Sequence, residues 1–185
     1  MFAHPYRYIF IAVLSLYTLL NTILCEVYLY FRIEISWYLA LLTITGITLL
    51  IWEGNRLLER GIRKLVKADA HKIRFVIYFF LIGNLVAALS TIVMVYLVGR
   101  IVLDLPLENN VQPFKLNLIY ATLVNLFFHL MNTILLFFHN YKKQWIEAEE
   151  LRRISTQAQL QLIKNQVNPH FLFNNLNVLS AMVIR

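Results

Sequence analysis

The chain has 185 residues, of which 59% are hydrophobic and only 15% charged. That is too apolar for an ordinary soluble domain and points to a membrane protein. The formal net charge is +7, and the single cysteine, Cys25, excludes an intrachain disulfide or a cysteine-based metal site.

Four apolar runs are long enough to cross a hydrocarbon layer of about 30 Å, which takes about 20 residues of helix. They are Tyr8 to Phe31, Ile35 to Trp52, Ile73 to Val98 and Leu116 to Phe138. The first is too long for a cleaved signal peptide, lacks a small-residue cleavage site and precedes further spans, so it is read as retained. Arg32, Ile33 and Glu34 leave room only for a tight antiparallel hairpin between the first two. Trp37 and Tyr38 at one end of the second span and Trp52 at the other have the character of interface anchors.

Orientation follows from lysine and arginine placement. The connection from Glu53 to Lys72 carries Arg56, Arg60, Arg63, Lys64, Lys67 and Lys72, whereas the first connection offers Arg32 and the third Arg100 and Lys115. The positive-inside rule therefore puts the second connection and both termini in the cytoplasm. A basic stretch between two spans faces anionic lipid rather than nucleic acid. Arg56 to Asp69 is expected to form an amphipathic surface helix with Leu57, Leu58, Ile62 and Leu65 towards lipid.

Polar groups within the spans are few. Asn125, His129 and Asn132 share one helical stripe on the fourth, Asn84 sits among the small residues Gly83, Ala87, Ala88 and Thr91 on the third, and Asn21 and Glu26 lie late in the first. Such residues usually face other helices and hydrogen-bond there. The sharper alternative makes His129 part of a sensing or pH-responsive element. Arg100 to Lys115, with Pro106, Pro113 and Asn109-Asn110, is expected to be an irregular outer loop, too short for a ligand-binding domain.

After Phe138 no glycine or proline interrupts the chain before Pro169. Tyr141 to Gln166 should continue as one cytoplasmic helix of about 39 Å at 1.5 Å per residue. Glu149 and Arg153 are spaced for an i, i+4 pair. The apolar register of Leu151, Ile154 and Ala158 shifts to Leu160, Ile163 and Val167, so a sustained coiled coil is not established.

The stretch Gln166 to Asn177 reads Gln-Val-Asn-Pro-His-Phe-Leu-Phe-Asn-Asn-Leu-Asn. Asn168 suits a helix N-cap and Pro169 the first helical position, where a missing N–H costs nothing. The bland reading is a helix start with a surface histidine, His170, and Asn174 one turn along. The run Asn168-Pro169-His170-Phe171-Leu172-Phe173-Asn174, with Leu176 and Asn177 behind it, resembles the phosphoacceptor box of the LytS-like "internal region" sensor histidine kinases, and Leu160 to Gln166 fits the lead-in. The resemblance implies that His170 accepts the γ-phosphoryl group of ATP and passes it to an aspartate of a cytoplasmic response regulator, with Asn174 as a neighbouring polar residue. It also implies a homodimer. Phe171 stands where better-known histidine kinases carry an acid, so no base is assigned there.

An unperturbed imidazole titrates near about pH 6.5, so an exposed histidine is mostly neutral in the cytoplasm and is a competent nucleophile once ATP and magnesium are positioned. Only residues 171–185 follow His170, and every glycine lies at or before Gly99. A nucleotide-binding domain needs on the order of a hundred residues. ATP and Mg are therefore expected from a C-terminal domain beyond this sequence, which reads as part of a longer sensor kinase. The expected fold is an all-α integral membrane protein of the bacterial inner membrane. It would comprise a four-helix transmembrane sensor region over 1–140, a signalling helix over 141–167 and the start of a helical-hairpin phosphoacceptor region over 168–185. The alternatives are a non-enzymatic adaptor docking a cytoplasmic partner through Phe171 and Phe173, and a small channel using the Asn125-His129-Asn132 stripe. The channel reading has no inverted repeats or glycine-broken spans behind it.

Overall fold

A computed structural model describes residues 2, 4–65, 73–166 and 169–183, and among them every regular element is helical. In order these are α1 (Arg7–Leu24), α2 (Val27–Tyr30), α3 (Trp37–Leu65), α4 (Ile73–Tyr96) with a π-helical extension (Leu97–Val102), a 3₁₀ turn (Leu107–Asn110), α5 (Val111–Gln166) and α6 (Pro169–Val183). The chain divides into two compact units, Met1–Phe137 and Phe138–Arg185.

The first unit has the inverted polarity of a bundle solvated by hydrocarbon. Ser15, Thr43, Thr48, Asn55, Thr91, Asn125 and His129 are buried, while Ile9, Phe10, Leu16, Leu85, Leu89, Leu123 and Ile134 point outwards. In lipid every backbone polar group must be satisfied within the segment, which is why helices carry this sequence. Four helical stretches are long and apolar enough to cross a membrane: Arg7–Leu24, Trp37–Ile62, Phe75–Val102 and Glu108–Asn165. The inward face of α5 repeats at helical spacing, through Ala121, Val124, Asn125, Phe128, His129 and Asn132.

α1 and α3 pack antiparallel. Arg7 Nε donates to Glu53 Oε1 at 2.9 Å near one end, while Leu19 clusters with Ala40 and Ile44 near the other. The centre of the bundle is aromatic. Phe2 is fully buried and meets Trp52, Phe79 and Phe128 edge-on, with ring centroids 5.6, 5.8 and 6.4 Å away.

Several expectations change. The first span stops at Leu24, where Glu26 takes a left-handed conformation (φ 51°) that a continuing helix cannot contain; Thr18, Asn21 and Thr22 donate to the carbonyls four residues back in its last turns. The hairpin is accordingly not tight: α2 and the segment through Ser36 separate α1 from α3, with Arg32 also left-handed (φ 52°). Trp52 is not an interface anchor. It is buried, and its Nε1–H donates to the Phe2 carbonyl at 2.9 Å, which satisfies the indole inside the core.

Nor does a separate surface helix begin at Arg56. α3 runs on to Leu65, Glu53 is clamped by Arg7 and Arg56, and Ile62 and Leu58 pack on the core rather than lying against lipid. Positions 66–69 of that expected helix lie outside the described residues. The loop expected over Arg100 to Lys115 contracts to 103–110, since the π-helical turn extends α4 and α5 already starts at Val111. Pro113 is tolerated there because a helix's first turn has no use for its missing N–H.

Candidate functional site

The second unit is described by itself. The arm residues from Tyr141 to Asn165 are all exposed turns of α5, and no glycine or proline breaks them. Among the described residues Lys143 pairs with Glu147 at 3.7 Å, whereas Glu149 and Arg153 do not pair; both ends of the Lys143 pair are exposed, so it adds little stability.

α6 begins at Pro169, as the proline rule predicts. The N-cap expected at Asn168 lies outside the described residues. His170 is the second residue of α6; its backbone is helical, and its side chain lies outside what is described. Asn174 stands one turn further on and is exposed. Behind it Phe173, Leu176, Leu179 and Met182 are exposed too, so α6 carries more apolar surface than a solvated helix needs.

Of the polar residues singled out on α4 and α5, Asn84, Asn125 and His129 do come together in the first unit, joined by one the sequence reading missed. Asn55 of α3 donates from Nδ2 to Asn125 Oδ1 at 2.9 Å, and Asn125 Nδ2 donates in turn to Asn84 Oδ1 of α4 at 3.2 Å. Asn84 Nδ2 closes the chain on the Phe80 carbonyl at 3.3 Å. At the other end His129 Nε2 lies 3.2 Å from Asn55 Oδ1. A carbonyl oxygen only accepts, so Nε2 carries the ring proton and every donor in the series points the same way. Such aligned bonds polarise one another in a low dielectric.

His129 is also enclosed by Phe79 and Phe80, with centroids 4.5 and 5.6 Å away. Gly83 allows this approach: a Cβ there would overlap His129 Nε2 and stand 2.8 Å from Asn55 Oδ1. Interhelical hydrogen bonding is thus what Asn125 and His129 of the stripe provide, and Asn132 is buried on the same face. Asn55 was legible in principle, because Ile44, Thr48, Ile51 and Asn55 repeat at helical spacing once α3 is allowed past Trp52.

These elements define a four-span helical membrane protein whose last helix opens with a Pro-His pair. Residues 158–185 match the histidine kinase family. The sensor histidine kinase YpdA of Escherichia coli (strain K12) is 44% identical over 36 residues, covering 20% of this chain and 6% of that protein. No solved structure matches. The family match covers the motif-bearing segment, and the chain spans only a small part of that relative's length.

Proposed function

We propose that the chain is the membrane and phosphoacceptor portion of a two-component sensor histidine kinase of the bacterial inner membrane, with both termini in the cytoplasm. The observation that carries this reading is the Asn168–Asn177 motif inside a segment matched to the histidine kinase family, at the opening of a helix that follows four apolar helices.

In this reading a nitrogen of the neutral His170 imidazole attacks the γ-phosphorus of ATP. A P–N bond forms, the P–O bond to ADP breaks, and the ring nitrogen's proton is given up. A response-regulator aspartate then attacks the same phosphorus and the P–N bond breaks. Asn174, one turn along α6, orients the imidazole or the phosphoryl oxygens in the same reading. Nucleotide and magnesium come from a domain other than the two units seen here. The exposed apolar residues of the arm and of α6 support a homodimer, since packing against a second copy would cover them.

The test supplies a histidine-kinase ATP-binding domain with labelled ATP. Label on the chain should be acid-labile, alkali-stable and absent from His170→Gln; equal labelling of that variant would refute the assignment. The adaptor reading is favoured by one observation, the exposure of Phe173. It predicts the opposite pattern: signalling survives His170→Ala and is lost in Phe173→Ala.

A further inference from the structure

At the end of the first unit away from Trp52 lies a cavity of about 40 Å³, walled by the segment after α2, the start of α3, the π-helical turn and the start of α5. A single water needs roughly 10–15 Å³ by this measure, so there is room for a ligand of a few heavy atoms. Most of the wall is apolar, including Ile35, Val95, Val98 and Leu105.

One polar group stands out in it. Asn110 is 9% exposed, and its Nδ2 makes no hydrogen bond to any described residue. An amide N–H₂ is a double donor, and leaving it unmet in the interior costs about 1–3 kcal/mol. Asn110 is not there by accident of packing: Gly99 in the π-helical turn makes way for it, since any Cβ at Gly99 would overlap Asn110 Oδ1. π-helical turns inside helices recur at functional sites.

The wall also says what kind of molecule fits. No lysine or arginine lines the cavity, and its one carboxylate is Glu34, so an anion would find no countercharge there and one like charge. Tyr28 contributes a phenol, and burial pushes it up to about 12, which keeps it neutral. We propose that this cavity binds a small uncharged molecule through a hydrogen-bond acceptor held by Asn110 Nδ2, with the ligand's apolar part against Val98 and Leu105. Under the orientation proposed above this end faces outside, so the inference rests on that reading for its sensory meaning. Asn110 immediately precedes α5, the helix that leads on to the motif, so occupancy acts at that helix's first turn.

The experiment is saturation-transfer NMR on the full chain in detergent micelles, with acetamide as probe, acetate as its anionic counterpart and no nucleotide present. Acetamide should bind, acetate should not, and Asn110→Leu should weaken acetamide at least about tenfold, the value of one buried hydrogen bond. Gly99→Ala, which displaces Asn110 without removing it, should weaken it similarly. Each variant's fold is checked, with Trp37 and Trp145 changed to Phe, by the blue-shifted emission of buried Trp52. Equal acetamide binding by wild type and either folded variant, acetate binding as well as acetamide, or water as the sole occupant would each overturn the proposal. Since no phosphorylation is read, failure here leaves the His170 assignment standing, and failure of that assignment leaves this result standing.

Discussion

Asn55 on α3 and Asn125 on α5 share a 2.9 Å hydrogen bond with both side chains fully buried, and Asn55 also accepts from His129. Seventy residues of sequence separate the two asparagines, yet their bond ties together two helices that cross the apolar layer. Between lipid-solvated helices there is little hydrophobic drive to associate, so packing and such bonds carry more of the burden.

Asn125→Leu removes the acceptor for Asn55 and the donor for Asn84. It should lower bundle stability by about 1–2 kcal/mol, read as reversible unfolding in micelles. A double-mutant cycle with Asn55→Leu should show a coupling of about 0.6–1.7 kcal/mol. Strict additivity would mean the bond contributes nothing.

Two glycine substitutions should move stability in opposite directions. Gly83→Val drives a side chain into His129 and Asn55 and should destabilise by about 1–3 kcal/mol, as overpacking does. Gly61→Ala meets nothing within 4 Å, towards the C-terminal end of α3. It should stabilise by about 0.5–1 kcal/mol, the usual helix-propensity difference. A loss from Gly61→Ala would show that α3 is not helical there.

Phe2 should behave as a core residue despite its place in the chain. With Trp37 and Trp145 changed to Phe, Trp52 is the remaining one of three tryptophans and its emission should be blue-shifted. Phe2→Ala should shift that emission to the red and cost about 3 kcal/mol or more, within the range for removing a buried ring. Unchanged emission would place the N-terminal residues outside the bundle.

Cys25 gives a direct test of orientation, being the single cysteine, free and exposed just past the end of α1. A membrane-impermeant maleimide should label it in intact spheroplasts. In a Cys25→Ser background, Gln159→Cys on the arm should be labelled only after lysis. The reverse pattern would put His170 where no nucleotide exists and end the kinase reading.

The four apolar helices and the helix start at Pro169 were legible from composition, periodicity and the special covalent geometry of proline. All of these act over a few residues. So was the likeness of the C-terminal segment to the histidine kinase family, because its motif is contiguous. The inward stripe on α5 was legible too, but not its partner Asn55, which looked like part of a basic connection until α3 was seen to continue. Trp52 illustrates why: an indole at the end of an apolar run suits an interface, and only the carbonyl of Phe2 within reach makes burial possible.

The sequence by itself determined that this chain carries four apolar helices able to cross a membrane and then a Pro-His motif in a segment similar to the histidine kinase family, since chain solvation and a local motif need no distant partner. Only the tertiary structure decided which polar groups meet. It joined His129, Asn55, Asn125 and Asn84 into one series and left Asn110 facing a cavity, because hydrogen-bond pairing between helices depends on their rotation and depth, which no local pattern records.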